Sequence, residues 1–206
     1  FLKMAGVTGH EISPRDPQLH CFGVKTRQGN AWVLYNRHGA KPHEPFHMGL
    51  PKPFAPKDLT SVALKEADLS LSLAPMKPGF AHVSSAGDLL AVQAQGPVVR
   101  RGVPVLETDT HAIVIALDGK DLRRSEHLLV TGFYPGSIQV ASDVQNLRAE
   151  LGELREGKWV SLSELALDRK PKAVALELDD ETALEMVLLS TDPAQAAQHL
   201  QSLVGF

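Results

Sequence analysis

Apolar and polar residues alternate along this chain mostly with period two, which predicts strands. Leu69-Ser70-Leu71-Ser72-Leu73 alternates strictly, as a strand buried on one face does. Leu19 to Lys25 and Ala31 to Tyr35 flank Thr26-Arg27-Gln28-Gly29-Asn30, a predicted hairpin. Phe80 to Ser84 and Leu89 to Ala94 flank Ala86-Gly87-Asp88, a second hairpin. Ala173 to Leu178 and Ala183 to Leu189 flank Asp179-Asp180-Glu181-Thr182, a third. Ala112 to Leu117 is continuously apolar and ends at Asp118-Gly119. That run predicts a central strand buried on both faces, closed by a tight turn. His127 to Phe133, Ser137 to Ala141 and Trp159 to Leu162 read as further strands. Residues 143–152 fit two periods. Val144, Leu147 and Leu151 have helical spacing, whereas the alternation in Leu147 to Leu151 suits a strand.

The C-terminal segment has a clear helical period. Asp192 is a candidate N-cap and Pro193 suits the first turn, where a missing N–H costs nothing. Ala196, Ala197, Leu200, Leu203 and Val204 share one helical face, and Gly205 is a stop signal. About a dozen short strands, with turn signals at roughly 8–12 residue spacing, predict an all-β fold: an antiparallel β-sandwich with a short C-terminal helix. The expected organisation is three segments. Residues 1–60 hold a hairpin and a Pro-rich loop, either separate from the sandwich or continuous with it. Residues 61–190 form the sandwich and 191–206 the helix. Pro42, Pro45, Pro51, Pro53 and Pro56 exclude a central strand from the Pro-rich part.

Composition narrows the functional classes. The 206 residues carry 21 basic and 24 acidic side chains, a net charge of −3. A nucleic-acid binder needs a basic stripe, so no nucleic-acid partner is expected. No apolar run approaches the roughly 20 residues of a spanning helix, so no membrane partner is expected either. A lone cysteine excludes an intrachain disulfide framework, and its apolar strand context predicts a buried, inert thiol at Cys21. The chain begins at Phe1 with neither an initiator Met nor a signal-peptide pattern, so it is expected to be a piece of a longer protein.

Two clusters have the residue types for chemistry. His43, Glu44 and His47 offer imidazoles and a carboxylate within a short span, candidate metal ligands. The surrounding prolines forbid the helix that a His-Glu-x-x-His site needs, and a solvated loop accounts for the same residues. Glu107, Asp109 and His111 would share one face of an extended strand, giving a carboxylate–imidazole pair for general-base or metal chemistry. Either cluster would suit a metal-dependent hydrolase or lyase on a β-scaffold. The alternative is that both are polar surface. No nucleophile elbow, phosphate-binding glycine loop or dinucleotide fingerprint is present, and no cofactor is expected. Trp159 alternates with Ser161 and Ser163, which predicts a Trp on a polar face and a candidate platform for a sugar ring. Trp32, flanked by apolar residues, is predicted to be core.

One stretch carries a resemblance. Leu117-Asp118-Gly119-Lys120, Leu122, Ser125 and Leu128-Leu129-Val130-Thr131 resemble a segment of the β-sandwich domains that trail the (β/α)8 barrel in some bacterial glycoside hydrolases. Gly87 to Val92 is similar to the strand preceding that motif, and Gly157-Lys158-Trp159 to a later one. The similarity extends over residues 80–190 and is carried mainly by residues 108–131. It implies a non-catalytic accessory domain that scaffolds a barrel in the same parent protein and binds glycan. It further implies a secreted or periplasmic location, with the catalytic acid and nucleophile on the barrel. A structural protein-interaction module is the remaining alternative.

Overall fold

The computed structural model describes residues 9–11, 18–38 and 56–204. In chain order its strands are β1 (Gly9–Glu11), β2 (Leu19–Lys25), β3 (Gly29–Asn36), β4 (Thr60–Leu64), β5 (Leu69–Leu73) and β6 (Pro78–Ser84). They continue with β7 (Leu89–Ala94), β8 (Val98–Arg100), β9 (Val103–Thr108), β10 (Ala112–Ala116), β11 (His127–Gly132) and β12 (Gly136–Ala141). The last are β13 (Arg148–Arg155), β14 (Lys158–Leu165), β15 (Asp168–Lys170), β16 (Ala173–Leu178) and β17 (Met186–Ser190), followed by helix α1 (Pro193–Val204). Ten strands form one sheet in the order β1-β2-β3-β6-β7-β10-β11-β17-β13-β14, and seven form the other in the order β15-β16-β12-β9-β8-β5-β4. Every pairing is antiparallel. The expected all-β sandwich with a C-terminal helix is therefore the fold, with more and shorter strands than the alternation predicts.

The core lies between the sheets. Leu71, Leu73, Leu106 and Ile138 of the smaller sheet and Val92, Val114, Leu128 and Leu189 of the larger one are buried in a single cluster. Period-two alternation places one side chain in two on this inner layer. Trp32 and Cys21 join it, both buried as their apolar contexts predict.

Sheet changes shape the connections. The chain passes from one sheet to the other between β5 and β6, between β7 and β8, and between β9 and β10. The fully buried Gln95 ties two such crossings together. Its Oε1 accepts from Ala74 N at 3.0 Å and its Nε2 donates to the Pro78 carbonyl at 2.9 Å. A buried amide is tolerated because both of its ends are satisfied.

Two expectations need correction, and one open alternative is decided. The segment around Asp179 to Thr182 is not a hairpin turn: β16 pairs with β12 and β17 pairs with β11 and β13, so it is another crossing between sheets. Turn chemistry marks a reversal but does not select the partner. Residues 148–155 are a strand, β13, held on both sides by β17 and β14. β10 is central, yet Ile113 and Ile115 are only half-buried, because its outer face is less covered than its inner one.

Helix α1 forms as its sequence predicts. Asp192 Oδ1 accepts from Ala194 N at 3.0 Å and Gln195 N at 3.2 Å, the N-cap arrangement. The helix lies on the outer face of the larger sheet, where Ala196 and Leu200 pack with Leu117 and Leu188. Ile115, Leu129, Leu154 and Trp159 complete this second, smaller cluster.

Candidate functional site

The outer face of the larger sheet carries a groove of about 410 Å³ beside α1. Its floor comes from Leu90 and Ala91 of β7, Ile115 of β10 and Leu129 of β11, and Leu200 and Leu203 of α1 form a wall. A β-bulge explains part of this shape. Ala91 pairs with His82 but Leu89 with Val83, so Leu90 is the extra residue, and Leu90 and Ala91 both line the groove. Bulges re-aim side chains in this way.

The polar end of the groove is the β2–β3 turn and His82 of β6. Thr26 N donates to the Gly29 carbonyl at 2.8 Å, closing the turn. Thr26 Oγ1 accepts from Gly29 N at 3.0 Å and Gln28 N at 3.3 Å, and lies 3.0 Å from His82 Nε2. Glycine is required at position 29 because a Cβ there would sit 2.1 Å from the Val83 carbonyl oxygen. The turn thus rests directly on β6, which is what brings Thr26 to His82. Burial lowers the His82 pKa below the ordinary histidine value, so its ring is neutral near pH 7. Sequence reading missed this histidine; the signal available was an imidazole interrupting an otherwise apolar strand.

Glu107, Asp109 and His111 do not converge. β9 ends at Thr108 and β10 begins at Ala112, so the three do not lie on one extended strand and the one-face expectation fails. Glu107 accepts from Gln139 Nε2 at 3.0 Å, and Asp109 Oδ1 accepts from Ser137 N at 2.6 Å, both on the smaller sheet. His111 is buried at the other sheet. Gln93 Nε2 donates to its Nε2 at 2.7 Å, and its ring stacks on Phe133 with centroids 4.4 Å apart. Burial, together with the Lys77 charge, pushes its pKa down to about 4. Each of these groups is thereby committed to a different structural contact.

Trp159 is half-buried and packs in the cluster beneath α1, with its indole Nε1 buried and unpartnered. Gly152 approaches the ring so closely that a Cβ there would lie 2.4 Å from Trp159 Cζ2. The serine alternation suggested a polar face; the helix returning over the sheet makes it an apolar one. His43, Glu44 and His47 lie outside the described residues. Among the described residues, no group of three His, Cys, Asp or Glu side chains is placed to hold a metal.

The loop after β10 is held by its own acids. Asp118 accepts from Ser125 Oγ at 2.7 Å and from Glu126 N at 3.0 Å. Burial alone would raise the Asp118 pKa, but these hydrogen bonds and the Lys120 charge hold it below the usual value. Asp121 pairs with the buried Arg100 at 2.9 Å and accepts from Leu89 N at 2.9 Å, fastening the loop to β8 and β7. A further polar pair, His127 and Ser190, faces each other across β11 and β17 under α1. Ser190 is fully buried, which removes it as a nucleophile.

The chain was compared with models of known protein families, with curated proteins and with solved structures, and it matches none of them. The class it represents is therefore stated by its own architecture: a two-sheet antiparallel β-sandwich with one helix on its outer face.

Proposed function

We propose that this chain is a non-catalytic accessory domain of a larger carbohydrate-active protein, and that it serves by packing its ten-stranded sheet against a catalytic domain. The observation that carries the reading is an apolar row across the outer face of that sheet. Phe22, Val33, Phe80 and Ile113 fall on one line of cross-strand register, interrupted only by Gln93. Phe22 is 44% exposed and Val33, Phe80 and Ile113 are half-buried, so the row is a contiguous apolar surface and not a single scattered side chain. Helix α1 packs over the β11, β14 and β17 side of the sheet and leaves this row outside its cover.

The commitment of Asp118, Asp121 and Asp109 to backbone contacts also supports a scaffold, since each is engaged in holding a loop. The place of Trp159 beneath α1 favours packing over sugar stacking, so the proposal is scaffolding.

The test is expression of the whole reading frame containing this chain, in wild-type form and as Phe22→Glu. The expected result is a catalytic domain that resists limited proteolysis as one unit with the sandwich. Phe22→Glu should free the sandwich to cleavage without changing its own melting. A reading frame with no catalytic domain, or cleavage indifferent to the substitution, would overturn the proposal.

A further inference from the structure

Beyond scaffolding, we infer that the groove beside α1 binds a small amphiphilic carboxylate, an apolar chain with an anionic head. Its volume of about 410 Å³ falls within the range of small-molecule sites, about 300–1,000 Å³. An apolar floor and wall with polar groups gathered at one end is the arrangement such sites use to fix orientation. Here Leu90, Ile115, Leu129, Leu200 and Leu203 supply the apolar part, and the β2–β3 turn supplies the polar end.

The charge of that end selects the head group. Arg27 lines the groove, and among the described residues its guanidinium makes no ion pair or hydrogen bond. None of the residues lining the groove is acidic. A guanidinium with five N–H donors and no counter-ion among the described residues favours an anionic head group, and a planar carboxylate is one that it can hold with two parallel hydrogen bonds. His82, kept neutral by burial, adds no competing negative charge and no second cation. A neutral lipid or an alcohol would fill the apolar part equally well but leave Arg27 without its partner. An amphiphilic cation would be repelled by it.

Two walls of the groove are far apart in sequence, the turn at residues 26–28 and the helix at residues 200–203. Ligand binding therefore joins α1 to the β2–β3 hairpin and stabilises the fold by mass action.

The experiment uses the 206-residue chain with decanoate below its micellar concentration and decanol as the uncharged control, read by calorimetry and by amide chemical shifts. Saturable decanoate binding is expected, with shifts clustered at Thr26 to Gly29 and at Leu200 to Leu203. Arg27→Gln should weaken decanoate by about tenfold, the loss of one charge-assisted contact, and leave decanol unchanged. Ala91→Leu, which fills the floor, should abolish binding of both while the chain stays folded by circular dichroism. Equal affinity for decanoate and decanol in the wild type would overturn the inference, as would shifts confined to the Phe22 row or no saturable binding. Because the Phe22→Glu test reads docking and this one reads ligand affinity, either can fail without the other.

Discussion

Thr26 Oγ1 lies 3.0 Å from His82 Nε2 while already accepting two backbone N–H groups, from Gln28 and Gly29. A hydroxyl has two lone pairs and one hydrogen. With both lone pairs engaged, its hydrogen points at His82, and Nε2 must be the acceptor. The neutral ring therefore carries its proton on Nδ1. Nitrogen chemical shifts of the imidazole should report the Nδ1–H tautomer near pH 7. Thr26→Val, which removes the hydroxyl, should cost about 1–3 kcal/mol of stability and weaken that tautomer preference. An Nε2–H signal in the wild type would contradict the assignment.

His111 makes stability depend on pH. Its pKa is about 4 in the folded protein against 6.5 for an unperturbed histidine. Between those values the unfolded chain binds a proton that the native chain does not. Stability is therefore unaffected above the unfolded value and falls as pH drops from it toward the folded one. A shift of this size amounts to about 3 kcal/mol over the full window. His82 is shifted in the same direction and adds to the trend. Urea midpoints measured between about pH 7 and pH 5 should fall, and His111→Gln should flatten the slope. A slope unchanged in that variant would assign the effect elsewhere.

Asp118 organises the loop between β10 and β11 by accepting from Ser125 and Glu126. Ser125 is fully buried and its hydroxyl also lies 2.8 Å from the His127 carbonyl, so removing Asp118 takes away its charged acceptor and leaves it a neutral one. Asp118→Ala should destabilise the chain by about 2 kcal/mol in denaturant titrations. Asp118→Asn retains an acceptor oxygen and should cost less. Equal losses from the two substitutions would show that charge, not the hydrogen-bond pattern, holds the loop.

Gly152 lies at a register shift in β13, directly under Trp159. A Cβ at this position would stand 2.4 Å from Trp159 Cζ2 and 2.5 Å from the Val160 carbonyl oxygen. Gly152→Ala should therefore lower stability by about 1–3 kcal/mol and change the tryptophan fluorescence as the ring is displaced. An alanine variant as stable as wild type, with unchanged emission, would refute this packing. Gly157, where an added Cβ meets nothing within 4 Å, provides the control for local crowding, with only backbone strain from its φ of +77°.

Cys21 offers a probe of opening. Its thiol is buried, and burial together with the Glu66 charge raises its pKa to about 11. The thiolate is the reactive form, so alkylation of the folded chain should be slow and should accelerate with denaturant in step with unfolding. Rapid labelling under native conditions would mean that β2 opens locally.

Much of this fold was legible because a strand of period two leaves its mark without help from its neighbours. β5 lies where the strict alternation of Leu69 to Leu73 predicts it, and β2 and β7 lie where the apolar runs flanking predicted hairpin turns place them, at Leu19 to Lys25 and Leu89 to Ala94. The helix at Pro193 to Val204 was legible because Asp192 and Pro193 act through contacts within the first turn. The short strands β8 and β15, three residues each, were not legible, since so few positions carry no period.

The candidate site lay almost wholly beyond the sequence. Glu107, Asp109 and His111 have the right spacing for one face, yet the chain leaves one sheet and enters the other between them. Trp159 keeps its place in β14, but what covers it is α1, which returns over the sheet from the far end of the chain. Residues as distant as Thr26, His82, Ile115 and Leu200 meet only in the folded groove. Local pattern determined which segments are strands, where the helix begins and which residues belong to the core. The tertiary structure decided which strands pair, which outer faces are covered and which polar groups meet. The reason is physical: alternation and capping act within a few residues, whereas each crossing between sheets resets the direction in which the next side chain points.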